Sequence, residues 1–309
     1  MENVIEVHHL KKDYGFGRGV FDISFDIKKG EVFGFLGPNG AGKSTTIRHL
    51  MGFSKPDEGE TKILNQESFS NYYKILDKVG YIPGEIALPM GLTGYEFIKM
   101  MQDMYGVHNE QMLNRMLNLF ELTPEVLNGD TKHMSLGVKR KLAIVTAFMS
   151  DPEVLILDEP TSGLDPVMQQ RFINFIIEEK KRGKTILLSS HIFSEVDATC
   201  DRIAIIKDGV IVSTFIANDL KHASLKNYHL VFVKKEDYLK FIEDHGNTTL
   251  IEKDEENNAV LLSCLDENIG ELVSKLAKYE LKEFNNIKET LEDYFMKFYK
   301  EDKDFGGAL

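Results

Sequence analysis

The sequence has few of the features that mark secreted, membrane-embedded or nucleic-acid-binding proteins. It contains two cysteines, Cys200 and Cys264, among 309 residues. They are too few for a disulfide framework, so a reducing compartment is expected. Apolar runs such as 154–157 and 186–188 are strand-sized, far short of the roughly 20 residues that a membrane helix needs. A basic excess is also missing: 49 acidic side chains against 37 basic ones give a net charge of −12. That balance argues against binding to nucleic acid or to anionic lipid.

The start of the chain favours a protein without a secretory signal. Glu2, Glu6 and Asp13 occur where a signal peptide would carry an apolar segment, and no such segment is present. With the low cysteine count, this predicts a cytoplasmic protein. Any association with a membrane should then run through another protein.

Strand and helix patterns alternate along most of the chain. Thr93 and Glu96 form a capping-box pattern, in which both side chains satisfy free amides at a helix start. An amphipathic stretch covers 43–51. The predicted strands are 5–7, 21–27, 31–36, 154–157 and 185–189, and the predicted helices are 93–104, 109–122, 136–149 and 166–182. This alternation favours an α/β fold, with parallel strands covered by helices.

The alternation breaks around residues 217–226. Beyond the break, the pattern predicts strands 230–233 and 260–263 and helices 236–245, 267–276 and 287–299. We therefore predict two domains, residues 1–220 and a small α+β accessory domain of residues 226–309.

A glycine-rich motif follows the third predicted strand. It matches G-x-x-x-x-G-K-[ST] and consists of Gly37, Pro38, Asn39, Gly40, Ala41, Gly42, Lys43 and Ser44, with Thr45 next in the chain. The glycines let backbone amides turn inward on phosphates, and the following helix start adds partial positive charge. Lys43 is predicted to reach the β- and γ-phosphates, and Ser44 to hold magnesium.

A second chemical motif closes the apolar strand 154–157. Asp158 is predicted to reach the metal, because ligands gather at the carboxyl ends of such strands. Glu159 is placed to polarise a water for attack on the γ-phosphate. Such a pair alone is more often a solvated turn, and the phosphate loop upstream favours the catalytic interpretation.

The segment Asp158-Glu159-Pro160-Thr161-Ser162-Gly163-Leu164-Asp165-Pro166 resembles the Walker B and D-loop segment of ABC ATPases. His191 after the next strand is similar to the family's switch histidine, and Tyr14 stands where the family has an aromatic that stacks on adenine. The resemblance covers residues 3–215. It implies a phosphate-loop ATPase core with an antiparallel β subdomain and a helical subdomain, besides the small α+β C-terminal domain. Asp165-Pro166 is also typical of a plain helix start.

The chain departs from the family pattern at two places. The usual Leu-Ser-Gly-Gly-Gln signature is Met134-Ser135-Leu136-Gly137-Val138 here. Ser135 and Gly137 are kept and would offer a hydroxyl and an amide to a γ-phosphate. After Pro83, where the family commonly has a glutamine that touches magnesium, this chain has Gly84 and then Glu85. Either Glu85 substitutes as a metal ligand, or that contact is lost.

The resemblance implies ATP and magnesium as cofactors and a head-to-tail homodimer in the ATP-bound state. In that dimer the phosphate loop of one copy faces Ser135 and Gly137 of the other. It also implies a separate transmembrane permease subunit, which would hold this chain at the inner face of the cell membrane. Similar Ser-Leu-Gly signatures occur in antibiotic and bacteriocin exporter ATPases. A methionine-rich segment, residues 84–105, is predicted to bind a helix of the membrane subunit.

The sequence alone leaves two other functions open. One is a soluble ABC ATPase outside transport, although such proteins usually carry long coiled coils or two cassettes. The other is a regulatory nucleotide binder without turnover, which Glu159 and His191 argue against.

Overall fold

The computed structural model describes residues 2–221, 225–287 and 290–300. The chain divides into two compact units, Met1–Ala217 and Asn218–Leu309. Residues 288, 289 and 301–309, which belong to the predicted accessory domain, lie outside the described residues.

The first unit contains ten strands in one sheet. They are β1 (Asn3–Asp13), β2 (Gly19–Lys28), β3 (Val32–Leu36), β4 (Glu58–Ile63), β5 (Gln66–Glu67), β6 (Val79–Ile82), β7 (Val154–Asp158), β8 (Thr185–Ser190), β9 (Arg202–Lys207) and β10 (Val210–Ile216).

Helices occupy the connections between these strands. They are α1 (Lys43–Leu50), α2 (Tyr72–Leu76), α3 (Gly94–Tyr105), α4 (Glu110–Leu119), α5 (Pro124–Leu127), α6 (Leu136–Phe148), α7 (Pro166–Lys181) and α8 (Phe193–Thr199). A further helix, α9 (Ala217–Lys221), begins at the last residue of this unit.

The sheet has a parallel part and an antiparallel part. Its strand order is β5-β4-β1-β2-β10-β9-β3-β8-β7-β6. Strands β6, β7, β8, β3 and β9 run parallel, whereas β1, β2, β4 and β5 pair antiparallel. Every residue of β3, β7 and β8 is buried, as expected of parallel strands covered on both faces.

One apolar core joins the two parts of the sheet and α1. It includes Ile5 and Val7 of β1, Ile23 of β2, Phe33 and Phe35 of β3, Ile47 and Leu50 of α1, and Ile156 of β7. Ile47 and Leu50 of α1 pack in this core with residues from both parts of the sheet, which holds the helix and the turn before it in place.

Polar side chains define the starts of the helices, as the sequence indicates. Thr93 and Glu96 form the predicted capping box of α3. Asp165 accepts from the amides of Val167 and Met168 and begins α7, with Pro166 at its first position. Four helices, α3 to α6, lie between β6 and β7 in the chain and form the helical part of this unit.

The second unit has a four-stranded antiparallel sheet with helices. Its order is β12-β13-β11-β14. The elements are β11 (Leu225–Phe232), α10 (Lys235–Glu243), β12 (Thr248–Asp254), β13 (Ala259–Leu265), α11 (Ile269–Leu276), β14 (Leu281–Ile287) and α12 (Leu291–Lys300). Alternate residues of β11 and β13 pack against α10 and α11 in a separate core that includes Tyr228, Leu230, Phe232, Tyr238, Phe241, Val260, Leu262, Leu272 and Leu276.

The predicted helix 287–299 was wrong at its start, because Ile287 ends a strand and α12 begins at Leu291. The described helices lie within residues 2–221, 225–287 and 290–300. Within these ranges, every helix is too short or too polar to cross a bilayer.

Candidate active site

The glycine-rich turn lies between β3 and α1. Gly40 and Gly42 have φ angles of 85° and 111°, a region in which side chains cause strain. A Cβ atom on Gly37 would lie 2.6 Å from the carbonyl oxygen of Ile206. The tip of the turn, residues 38–40, is exposed. A turn with this shape can bring backbone amides close to a phosphate.

Lys43 begins α1 and curls back over that turn. It is only 5% exposed. Its ammonium donates to the carbonyl oxygens of Gly37, at 2.6 Å, and Pro38, at 3.1 Å. The same Nζ lies 3.1 Å from Oε1 of Glu159. The loop's cation and the carboxylate predicted as base are therefore direct neighbours.

Asp158 ends β7 and is only 2% exposed. Burial raises the pKa of Asp158, and hydrogen bonds from the Ser44 and Ser189 hydroxyls oppose that shift. The Ser189 hydroxyl donates to Oδ1 at 2.9 Å. On the other side, a Cβ atom on Gly84 would lie 2.9 Å from Oδ2. Asp158 thus lies at the carboxyl end of β7, and its carboxylate is bordered by two hydroxyls and the backbone of Gly84.

This donor set fits magnesium. Asp158 and Ser44 offer carboxylate and hydroxyl oxygens, the ligand type that this cation prefers. Within the described part of the chain, no cluster of three histidine, cysteine or acidic side chains could hold a metal ion. Magnesium is commonly held by one or two protein groups together with substrate phosphates and water.

Glu159 has an uncommon backbone conformation directly after β7. Its φ is 49°, which is strained for a residue with a side chain and recurs at active sites. Its amide donates to the carbonyl of Ser189 at 2.9 Å. Oε2 lies 2.6 Å from Nδ1 of His191. Because a carboxylate only accepts, Nδ1 carries the proton and donates. The Glu159 side chain therefore lies between Lys43 and His191.

The turn that carries His191 is anchored by Glu195, which the sequence analysis did not identify. The hydroxyl of Ser190 donates to Oε2 of Glu195 at 2.6 Å and accepts from the amide of Ile192 at 3.0 Å. Burial raises the pKa of Glu195 to about 7. Ser189 was also missed. Two adjacent serines at the end of a buried strand were the signal that could have indicated both contacts.

Tyr14 lies in the turn between β1 and β2. Its side chain is half exposed, its amide donates to the carbonyl of Arg18 at 2.9 Å, and the Lys12 ammonium lies 6.0 Å from the ring centre. A Cβ atom on Gly42 would lie 3.3 Å from the carbonyl oxygen of Gly19. The turn therefore adjoins the phosphate loop, and the predicted adenine contact of Tyr14 stays a prediction.

The signature segment contacts the D-loop segment of its own chain. Ser135 caps α6 by accepting from the amide of Val138 at 3.3 Å. A Cβ atom on Gly137 would lie 3.0 Å from the carbonyl oxygen of Gly163, and Leu136 packs over that glycine. Among the described residues, no hydrogen bond joins Ser135 to the phosphate loop of the same chain.

Glu85 is exposed, and its carboxylate forms no ion pair within residues 2–221. Gly84, not Glu85, provides the backbone that borders Asp158. A metal-binding role for Glu85 stays a prediction.

Comparison with known proteins identifies the family. The family model described as ABC transporter matches residues 20–162. The bacitracin transport ATP-binding protein BcrA of Bacillus licheniformis is 32% identical over 302 residues, which covers 96% of this chain and 97% of that protein. The chain belongs to the ABC transporter family. An uncharacterized ABC transporter ATP-binding protein of Bacillus subtilis (strain 168), YhcH, is 30% identical to this ABC subunit over 307 residues, 98% of each chain.

A solved structure supports the same assignment. The ATP-binding subunit of an ABC transporter is 31% identical to this chain, with a TM-score of 0.64, over 71% of this chain and 92% of that one. The α/β ATPase core predicted from the sequence is confirmed. The chain is an ATP-binding ABC subunit with an ATPase domain.

Proposed function

We propose that this ABC subunit hydrolyses ATP with Glu159 as general base and drives a separate membrane-spanning exporter subunit. The observation that carries the proposal is the position of the Glu159 carboxylate. It lies at the end of β7, 3.1 Å from the Lys43 ammonium and 2.6 Å from the His191 ring. Attack of water on a γ-phosphate requires a base next to the cation that binds that phosphate, and Glu159 has this position beside the Lys43 ammonium.

The phosphate loop supplies the binding energy for the triphosphate in this proposal. Residues 37–45 would surround the β- and γ-phosphates with backbone amides at the start of α1. Lys43 would neutralise their charge, and its burial strengthens that attraction because water screens it less. Tyr14 would stack on adenine at the neighbouring turn.

Glu159 and His191 carry the chemical step. The carboxylate would orient a water and take its proton as the water oxygen attacks the γ-phosphorus, while the bond from that phosphorus to the bridging oxygen breaks and ADP leaves. His191 donates to that carboxylate and so fixes its orientation. An imidazole that carries both protons can donate to Glu159 and to the γ-phosphate together. The strained backbone of Glu159 directs the side chain to this place.

Magnesium would be held by Asp158 and Ser44, with Glu85 as the third predicted ligand. When bound, it would supply positive charge against the phosphate oxygens. Ser189 keeps the Asp158 carboxylate oriented through the 2.9 Å hydrogen bond.

A second copy of the chain completes the site in this proposal. Ser135 and Gly137 lie at the start of α6, where Ser135 is exposed and Gly137 borders Gly163. Among the described residues, no hydrogen bond joins Ser135 to the phosphate loop of its own copy. A hydroxyl and an amide at a helix start suit a phosphate. We therefore propose a head-to-tail dimer in which each ATP lies between the phosphate loop of one copy and the α6 start of the other.

Gly137→Asp tests this dimer. The new carboxylate should repel the γ-phosphate held by the other copy and abolish ATP-dependent dimerisation, whereas ATP binding to the monomer persists. Leu136→Gly is the matched control, because the Leu136 side chain packs over Gly163 and offers no hydrogen-bond donor to a phosphate. It should still dimerise, with ATPase activity within a few-fold and a cost of about 1 kcal/mol in local helix stability. Both variants are compared by size-exclusion chromatography with ATP in the Glu159→Gln background.

Thermal unfolding of both variants shows whether each chain is folded. A folded Gly137→Asp chain that still dimerises with ATP would exclude this segment from the composite site and contradict the head-to-tail model.

The segment before and along α3 is the proposed binding site for the membrane subunit. Met90 and Met104 are 80% and 68% exposed, whereas Phe97 is buried in the core. A surface pocket of about 460 Å³ on α3 is lined by Glu96, Lys99, Met100, Asp103 and Met104. Flexible methionines between charged residues suit an amphipathic partner helix.

The cargo and location are part of the same proposal. BcrA is named for bacitracin transport and resembles this chain over nearly its full length. We propose a peptide antibiotic or a similarly amphipathic compound as cargo. The chain would work on the cytoplasmic face of the membrane, attached through its partner.

Domain independence gives a further prediction. A chain shortened to residues 1–221 should fold and keep ATPase activity within a few-fold, because each unit has its own apolar core. Circular dichroism with thermal melting and a phosphate-release assay check this. A shortened chain without a cooperative melt would show that the accessory unit is needed to complete the core.

A further inference from the structure

Arg140 is the largest fully buried side chain of the described residues, with 2% of its surface exposed. It lies on α6 and donates three hydrogen bonds to backbone carbonyls. Nη1 reaches Pro83 at 2.9 Å, Nη2 reaches Gly84 at 2.7 Å, and Nε reaches Ser162 at 3.0 Å. One guanidinium therefore joins α6 to two separate turns.

Both turns touch the proposed catalytic carboxylates. The Pro83–Gly84 turn borders Asp158, since a Cβ atom on Gly84 would meet its Oδ2 at 2.9 Å. The other turn begins at Glu159, whose carbonyl accepts from the amide of Ser162 at 3.1 Å. Arg140 thus binds the backbone of the turn beside Asp158 and the backbone of the turn that follows Glu159.

No carboxylate forms an ion pair with Arg140 within the described residues. Burying a cation whose hydrogen-bond acceptors are all neutral carbonyls is costly, because it loses its hydration without a carboxylate in direct contact. Burial accordingly lowers the pKa of Arg140, and the negative charges of Asp158 and Glu159 oppose this. The guanidinium keeps its charge at neutral pH. A core that only needed volume would be served better by an apolar side chain.

We propose that Arg140 is a positioning residue that holds the Gly84 turn, the Glu159–Ser162 turn and the α6 signature helix together. Ser135 lies at the start of the same helix, so a phosphate bound there is connected through Arg140 to the backbone around Asp158 and Glu159. Gly84 has no side chain that could bind α6, and its carbonyl oxygen accepts from Arg140 of that helix instead. This inference rests on the proposed ATPase function.

Two substitutions separate positioning from bulk stability. Arg140→Met keeps much of the volume but removes the charge and the three donors. Its kcat should fall about tenfold or more, whereas the KM for ATP stays within about threefold, because Lys43 and the phosphate loop are untouched. Arg140→Lys keeps the charge and can donate to some of the same carbonyls. It should recover part of the lost kcat.

Lys184→Met is the matched control. Lys184 is also buried and donates to the carbonyls of Asp151 and Pro152 at 2.8 and 2.7 Å. These residues precede β7 at the end opposite Asp158. The control should lower the melting temperature without lowering kcat.

Steady-state ATPase kinetics and thermal melts of the four full-length chains decide the matter. The inference is overturned if folded Arg140→Met keeps the wild-type kcat within twofold or, where Arg140→Met does not fold, if Arg140→Lys does so. It is equally overturned if Lys184→Met loses as much kcat as Arg140→Met. Should Arg140→Met fail to fold, Arg140→Lys alone gives the decision: a reduced kcat with unchanged KM supports positioning. A wild-type chain without ATPase activity would contradict the proposed function itself.

Discussion

Replacing Glu159 with glutamine is expected to lower the turnover number by about 10²- to 10⁴-fold, the contribution of a positioned general base. Glutamine keeps the shape of the side chain, and its one amide oxygen can still accept from either Lys43 or His191. The phosphate loop is untouched, so ATP affinity should be nearly unchanged. Phosphate release at saturating ATP and calorimetric titration with ATP measure the two quantities. Glu153→Gln, at the opposite end of β7, is the matched control and should hydrolyse ATP normally.

The same substitution should trap the ATP-bound dimer, because hydrolysis no longer removes the phosphate that bridges the copies. In the native host, it should also raise sensitivity to the exported compound. Near-normal steady-state hydrolysis by Glu159→Gln would remove Glu159 from the mechanism.

Lys43→Ala is expected to abolish measurable hydrolysis and to weaken ATP binding by about 10- to 100-fold. That range corresponds to the loss of one charge-assisted contact, roughly 1.5–3 kcal/mol. The Lys43 ammonium is the cation within the phosphate turn, and its removal also leaves Glu159 without its 3.1 Å partner. Calorimetry with ATP gives the affinity, and a phosphate-release assay gives the rate.

Lys184→Ala removes an equally buried lysine from a place remote from the phosphate loop. It should lose stability but bind ATP as the wild type does. An unchanged ATP affinity in Lys43→Ala would contradict the assignment of residues 37–45 as the phosphate site.

Local patterns correctly predicted two helix starts and the end of one buried strand. The capping box of Thr93 and Glu96 and the Asp165 cap were confirmed, because each depends on side chains within three residues of the amides they satisfy. The apolar run 154–157 correctly indicated a buried parallel strand that ends at Asp158.

Edge strands were not predicted. Strand β14, Leu281–Ile287, contains mostly polar residues, and the side chains of residues 282–287 are all exposed. It is a strand because β11 pairs with it along its length. Nothing in its own pattern indicates that partner, which is why Ile287 was placed in a helix. The same holds for β12, Thr248–Asp254, whose pairing with β13 includes a register shift.

The sequence by itself determined the family, the phosphate loop and the order of Asp158 and Glu159 after a buried strand. These depend on residue types at short, fixed spacing, and on glycines that only certain turns require. The tertiary structure alone decided that His191 and Lys43 meet at Glu159, that Gly84 borders Asp158, and that Arg140 joins two turns. Those contacts join residues far apart in the chain. Their distances are set by the pairing of the β-strands and the packing of α6, which no local pattern encodes.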